Sequence, residues 1–297
     1  MQILKYKNIL FIFSGILLAA SIFFIATGGL KFGVDFTGGS VLEFSYTGNI
    51  PAKADIEQKL GGFDLGSSVL RNSDNNDFIL KTKTIDENTK NQIQQALSFD
   101  SKYQVNINRF NTIGPTLGNE LKSKAMTALL IVILVITFFI AFAFRKVSTP
   151  VSSWKYGYAT MIALVHDIVI TVGVFAALGK FGGYEIDSLF VTAILVILGY
   201  SINDTIVVFD RVRDNLNQID ENKREKEFEN VLNVSFQQTI VRSFNTSLTT
   251  LISLSVLYFM NIAVIKAFVL ALIIGVISGT YSSIFLAVPI LSLFKRK

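Results

Sequence analysis

Six apolar runs, each long enough to cross a bilayer, constrain this chain more than any other feature. They lie near residues 8 to 28, 125 to 144, 157 to 178, 189 to 209, 243 to 261 and 267 to 293. A helix of about 20 apolar residues matches the hydrocarbon thickness, and backbone groups in lipid must be satisfied within the segment, so the runs predict helices. The expected fold is an α-helical polytopic membrane protein with six transmembrane helices. With 51% hydrophobic and 16% charged residues, the composition excludes an ordinary soluble domain. The first run follows Lys5 and Lys7 but exceeds the roughly 7–15 apolar residues of a signal-peptide core, so it reads as a retained anchor.

Six spans put both termini on one side. Fourteen Lys and Arg residues flank the runs on that side, from Lys5 and Lys7 through Arg211, Arg213 and Arg242 to Lys297; the short loops opposite carry two, Lys180 and Lys266. The positive-inside rule therefore places the termini in the cytoplasm and residues 30–122 outside. The chain divides into a first transmembrane helix (1–29), an extracytoplasmic domain (30–122) and a five-helix remainder (123–297) with a cytoplasmic loop at 210–241. In that loop, QIDENKREKEFENV reads as a solvated short helix or a docking segment. Arg145 and Lys146, with Pro150, read as an anchoring turn. The net charge of +5 is a topology signal, and no nucleic acid is expected as a partner.

Residues 30–122 alternate strand and helix signals. VLEF beside two glycines, Ser67 to Leu70, Phe78 to Thr82 and YQVNINRF read as strands; PAKADIEQKLGGF and DENTKNQIQQALSF read as helices, and NSDNND as a turn. The order β-α-β-β-α-β predicts a small α+β ferredoxin-like domain. It holds no histidine, cysteine or Gly-rich phosphate loop, so binding or mechanical coupling is its expected work. At its entrance VDFTGGS offers Asp35, Thr37, Gly38 and Gly39. These are read as a rigid junction after the first span or as a contact for a ligand or polypeptide. IGPTLGNEL, before the second span, looks like the other half of the same junction.

Inside the apolar runs the polar residues stand out. The fourth run contains Asn203 and Asp204, and a carboxylate at such depth costs about 2.5–3.5 kcal/mol on insertion scales. Tyr200, Ser201, Asp204 and Val208 share a helical face. Desolvation and a nearby cation would act on Asp204 in opposite directions, which suits a group that exchanges a proton; the alternative is a permanently paired acid that only holds helices together. The candidate cation is Arg242 in the fifth run. Beside it Asn245, Thr246, Thr249, Thr250 and Ser253 form a stripe that reads either as a hydrated path or as packing hydroxyls. His166 and Asp167 in the third run read as a proton relay or as partners for neighbouring helix groups. Gly275 and Gly279 in the sixth run predict close helix packing. The chain has no cysteine, and no nucleophile–base pair, metal cluster or phosphate loop stands at a workable spacing. It is therefore not expected to be an enzyme, and no cofactor or metal is expected beyond protons.

FGVDFTGGS, IGPTLGNEL, VHD in the third run, GYSINDTIVVFDRVRDN in the fourth, QQTIVRSFNTSLTT in the fifth and ALIIGVISGTYSSIFLAVPIL in the sixth resemble the SecD/SecF family of the Sec protein-export machinery. The resemblance covers nearly the whole chain. It implies an RND-type bundle in the cytoplasmic membrane of a bacterium, with SecD as partner, association with SecYEG, and contact with unfolded preprotein; a YidC-type insertase is a further expected neighbour. It also implies use of the proton-motive force late in translocation, with the family's intramembrane acid at Asp204 and its basic partner at Arg242. The loop between them is longer here than is usual in the family. The competing expectations are an RND-like proton-coupled exporter half and a passive translocon scaffold.

Overall fold

The computed structural model describes residues 3–66, 68–72, 77–145 and 150–294. Ser67, most of the NSDNND turn, Lys146 and the last three basic residues lie outside the described residues. The chain divides into two compact units, one of residues 1–31, 127–260 and 265–297, the other of residues 32–126 and 261–264.

The second unit is the α+β domain. A short helical turn, α2 (Val34–Thr37), leads into β1 (Gly39–Thr47), α3 (Lys53–Leu60), β2 (Val69–Asn72), β3 (Asp77–Thr82), α4 (Glu87–Leu97) and β4 (Gln104–Ile113). The expected β-α-β-β-α-β order is present, and the four-stranded antiparallel sheet runs β2-β3-β1-β4, the spatial order of a split βαβ arrangement. Alternation along β1 turns Leu42, Phe44 and Tyr46 onto Ile56, Leu60, Ile93 and Leu97 of the two helices. Asp86 caps α4 by accepting the Thr89 N–H at 2.9 Å, and hydrogen bonding from Thr89 holds its carboxyl below the usual range.

The two junction motifs interlock in this unit. Gly38 (φ 77°) and Gly39 (φ 142°) adopt backbone angles that disfavour other residues. A Cβ on Gly38 would stand 2.8 Å from Pro115 Cα, one on Gly39 2.5 Å from the Thr82 carbonyl, and one on Gly118 3.0 Å from the Gly38 nitrogen. Asp35 is half-buried, and the Thr37 hydroxyl donates to the Gly33 carbonyl at 3.1 Å. The glycines let VDFTGG and IGPTLG meet backbone to backbone.

The first unit is helical. It contains α1 (Lys7–Gly28), most of α5 (Pro115–Ala143), α6 (Ser153–Gly182), α7 (Ser188–Asn217), α8 (Glu221–Phe259) and α9 (Ala263–Tyr281). A π-helical turn, Ser282–Leu286, joins α9 to α10 (Ala287–Leu293). Among the described residues, six helical segments are long and apolar enough to span a membrane. Their ends differ from the apolar runs. α5 begins at Pro115, where a missing N–H costs nothing. The expected loop at 210–241 is helical apart from residues 218–220; hydropathy marks where a helix leaves an apolar environment, not where its hydrogen bonding stops. The polar halves of α7 and α8 are held by an extension of the bundle core, in which Val212, Leu216, Phe228, Leu232 and Phe236 join the cluster of Ile3, Leu4, Tyr156 and Phe209.

Candidate functional site

α6, α7 and the α9–α10 segment are the most buried spans of the helical unit, and many of its buried polar residues gather where they meet. Close approach is set by small residues. A Cβ on Gly275 would fall 2.1 Å from Ile197 Cδ1, and one on Gly279 3.0 Å from Ser201 Cβ, so α9 lies against α7 as the small-xxx-small spacing predicts.

Two carboxylates occupy this interior. Asp167, fully buried on α6, accepts four hydrogen bonds: from Ser201 at 2.7 Å, Ser282 at 2.8 Å, Ser278 at 3.0 Å and His166 Nδ1 at 3.3 Å. Its acceptor capacity is filled. The knot extends sideways, with Ser283 donating to the Ser201 carbonyl at 2.9 Å and Thr205 donating to Ser283 at 2.9 Å. The His166 ring stacks on Tyr281 at 6.0 Å, and the Tyr281 hydroxyl donates to the Leu10 carbonyl of α1. His166 Nε2 is buried without a hydrogen-bond partner among the described residues.

Asp204, one turn beyond Ser201 on α7, is held differently. It is 4% exposed, and the hydrogen bond it accepts is a long one from Ser247 of α8, at 3.5 Å. Ser247 in turn receives the Tyr200 hydroxyl at 3.2 Å and lies 2.6 Å from Thr280 Oγ1 of α9. Ser243, one turn before Ser247, is also buried. No ion pair to Asp204 within 4.0 Å occurs among the described residues.

The structure brings together Asp167, His166, Tyr200, Ser201 and Asp204, and it turns Asn203, Thr246 and Thr250 of the expected set elsewhere. Ser201 bonds Asp167 rather than Asp204. Asn203 is exposed, turned away from its neighbour by the 100° step of the helix. Thr246 is exposed and Thr250 half-buried; their hydroxyls bond backbone carbonyls of their own helix, Arg242 and Ser243 for Thr246 and Thr246 for Thr250. The face of α8 presented to Asp204 is Ser243 and Ser247, displaced around the helix from the expected stripe. Arg242 is exposed, and its charge acts on the Asp204 carboxylate from beyond ion-pair distance. The residues not anticipated are Thr205, Ser243, Ser247, Ser278, Thr280, Ser282 and Ser283. All of them lie inside the motifs that carry the family resemblance, and i, i+4 spacing at 243/247 and 278/282 is the further signal that sets some of them on one helix face.

Comparison with known proteins agrees with this architecture. Residues 92–297 match the family described as protein export membrane protein SecD/SecF, C-terminal, and residues 23–49 match the SecD/SecF GG motif. The protein translocase subunit SecF of Thermobaculum terrenum is 36% identical, covering 100% of this chain and 94% of its own length. That of Haemophilus influenzae is 35% identical over 97% of this chain and 84% of its own length. Among solved structures, SecDF from Thermus thermophilus, described as a translocon-associated membrane protein, superposes with a TM-score of 0.82 at 27% identity, covering 99% of this chain. The chain spans 38% of the length of that SecDF chain.

Proposed function

The chain belongs to the SecD/SecF family of protein-export membrane proteins, and from that premise we propose that it works as a proton-coupled accessory subunit of the bacterial Sec translocase. Together with a SecD partner, it uses the proton-motive force to assist late steps of preprotein translocation across the cytoplasmic membrane. In this reading the termini are cytoplasmic and the ferredoxin-like domain is extracytoplasmic, where it meets unfolded preprotein emerging from SecYEG, with a YidC-type insertase as a neighbour in the same assembly. The protein does no covalent chemistry and needs no cofactor but protons.

The observation that carries the proposal is the contrast between the two buried acids. Asp167 is saturated with donors and suits a fixed structural anchor. Asp204 has one long hydrogen bond and no ion pair among the described residues. A carboxylate so loosely held can change its protonation without dismantling a packed network. Arg242 serves as the mobile counter-charge: its side chain is exposed, next to Ser243 on α8, and long enough to swing toward an ionised Asp204 and withdraw from a protonated one. Moving one charge through the membrane potential supplies about 2.3 kcal/mol per 100 mV, enough to bias a two-state bundle by more than tenfold. The resulting helix movement would reposition the ferredoxin-like domain against the preprotein.

The test is Asp204→Asn in a reconstituted translocation reaction with an imposed proton gradient. The variant is expected to lose the gradient-dependent stimulation while still accumulating in the membrane and co-purifying with SecD. Retention of full stimulation would show that Asp204 is not the coupling acid.

A further inference from the structure

Ser247 and Thr280 occupy positions where one hydroxyl hydrogen each has more than one acceptor. Ser247 Oγ is 3.5 Å from Asp204 Oδ2 and 2.6 Å from Thr280 Oγ1, and it also receives the Tyr200 hydroxyl at 3.2 Å. Thr280 Oγ1 is 2.6 Å from Ser247 Oγ and 2.7 Å from the carbonyl of Val276, four residues earlier in its own helix. A hydroxyl carries one hydrogen and two lone pairs, so these contacts cannot all be donated at once. The state of Asp204 decides between two patterns.

With Asp204 ionised, Ser247 donates to the carboxylate, and Tyr200 and Thr280 both donate to Ser247. The Val276 carbonyl then receives nothing from Thr280. With Asp204 protonated, its O–H donates to Ser247, Ser247 donates to Thr280, and Thr280 turns its hydrogen to the Val276 carbonyl. One proton has been added, at Asp204; every hydroxyl keeps its hydrogen and changes only its direction. A threonine that bonds the carbonyl four residues back bends its helix, so the second pattern changes the path of α9 immediately before the π-helical turn at Ser282–Leu286. Such turns interrupt regular helix bonding and recur at functional sites.

We infer that Ser247 and Thr280 are positioning residues that report the protonation of Asp204 to the sixth span, with the π-helical turn as the element that yields. The opposite side of α9 supplies the fulcrum, since Ser278 and Ser282, two residues either side of Thr280, are both tied to Asp167 on α6. The charged and titratable groups around the cluster are His166 and Asp167 on α6, Tyr200 on α7, Arg242 on α8 and Tyr281 on α9. Of these, Tyr200 alone hydrogen-bonds a member of the Asp204–Ser247–Thr280 chain among the described residues.

This inference rests on Asp204 being the coupling acid, and the experiment separates the two. Thr280→Val keeps the shape of the side chain and removes the hydroxyl; Thr280→Ser keeps the hydroxyl and removes a methyl. Both, with Ser247→Ala and Asp204→Asn, are assayed in the full-length protein reconstituted with its SecD partner, with co-purification as the check of assembly. Thr280→Val and Ser247→Ala are expected to lower gradient-stimulated translocation by about fivefold, the worth of one net hydrogen bond, and Thr280→Ser to restore it to within about twofold. A packing role for Thr280 gives the reverse order, with Val active and Ser impaired, and overturns the inference. If Thr280→Val does not assemble, Ser247→Ala decides alone, and its full stimulation overturns it equally. If Asp204→Asn is dead while Thr280→Val and Ser247→Ala behave as wild type, the relay falls and the coupling acid stands. If Asp204→Asn keeps full stimulation, both fall.

Discussion

Asp167 and Asp204 are both acids buried among helices, and the hydroxyls around them account for their different suitability as coupling groups. Three serines and a histidine converge on Asp167. Removing a buried acceptor strands its donors, each at a cost of about 1–3 kcal/mol. Asp167→Leu is therefore expected to destabilise the protein by at least about 1–3 kcal/mol, the cost of one stranded donor, and by more as several of its four donors lose their acceptor. Asp167→Asn should fall between, because one carbonyl remains to accept while the new amide faces donors. Melting temperatures of the detergent-purified protein should rank wild type above Asn above Leu; a Leu variant as stable as wild type would mean that the knot contributes nothing. Sequence reasoning reached both acids because a carboxylate in an apolar run is conspicuous. It missed Ser243, Ser247, Ser278 and Ser282, since serine in an apolar helix commonly bonds its own backbone, and only the neighbouring helices decide which serines do otherwise.

The spans themselves were legible element by element, because apolar length is a local property, whereas the rotation of each helix about its axis was not. The stripe at Thr246, Thr249 and Thr250 and the pair at Ser243 and Ser247 are equally helical patterns; packing against α7 and α9 selected the second. Helix ends were misplaced for a related reason, since α8 starts at Glu221, far before its apolar part, and is held there by contacts from other segments. Close helix approach is the most testable consequence at this scale. A Cβ on Gly173 of α6 would stand 2.5 Å from Ser21 Cα of α1, whereas one on Gly199 of α7 meets nothing within 4 Å. Gly173→Ala must push the two helices apart and is expected to cost about 1–3 kcal/mol, as overpacking does. Gly199→Ala is expected to be neutral or to stabilise by up to about 1 kcal/mol through helix propensity. Thermal unfolding of the two variants side by side checks this, and equal loss in both would refute the packing argument.

Across the whole molecule, burial sorts the spans into two groups. The apolar windows of α6, α7 and the α9–α10 segment are 50%, 44% and 56% buried, against 11%, 17% and 11% for α1, α5 and α8. The three inner helices carry both buried acids, so the two carboxylates are shielded while most of the apolar side chains of α1, α5 and α8 remain available to lipid or to a partner subunit. Direction in the membrane is set instead by charges at the helix ends, where the excess of Lys and Arg lies on the side of the termini and of the turn between α7 and α8. A chain without cysteine allows this to be read directly, because each introduced thiol is the sole reactive site. Lys53 on α3 and Lys223 near the start of α8 have side chains 49% and 70% exposed, so substitution by cysteine should disturb little. In intact spheroplasts a membrane-impermeant maleimide is expected to label Lys53→Cys, and to label Lys223→Cys only after the membrane is opened. The reverse pattern would invert the orientation. Asp204, which is six residues or about 9 Å of helix from Asp210 at the end of the apolar run, would then lie toward the outer rather than the inner face of the membrane.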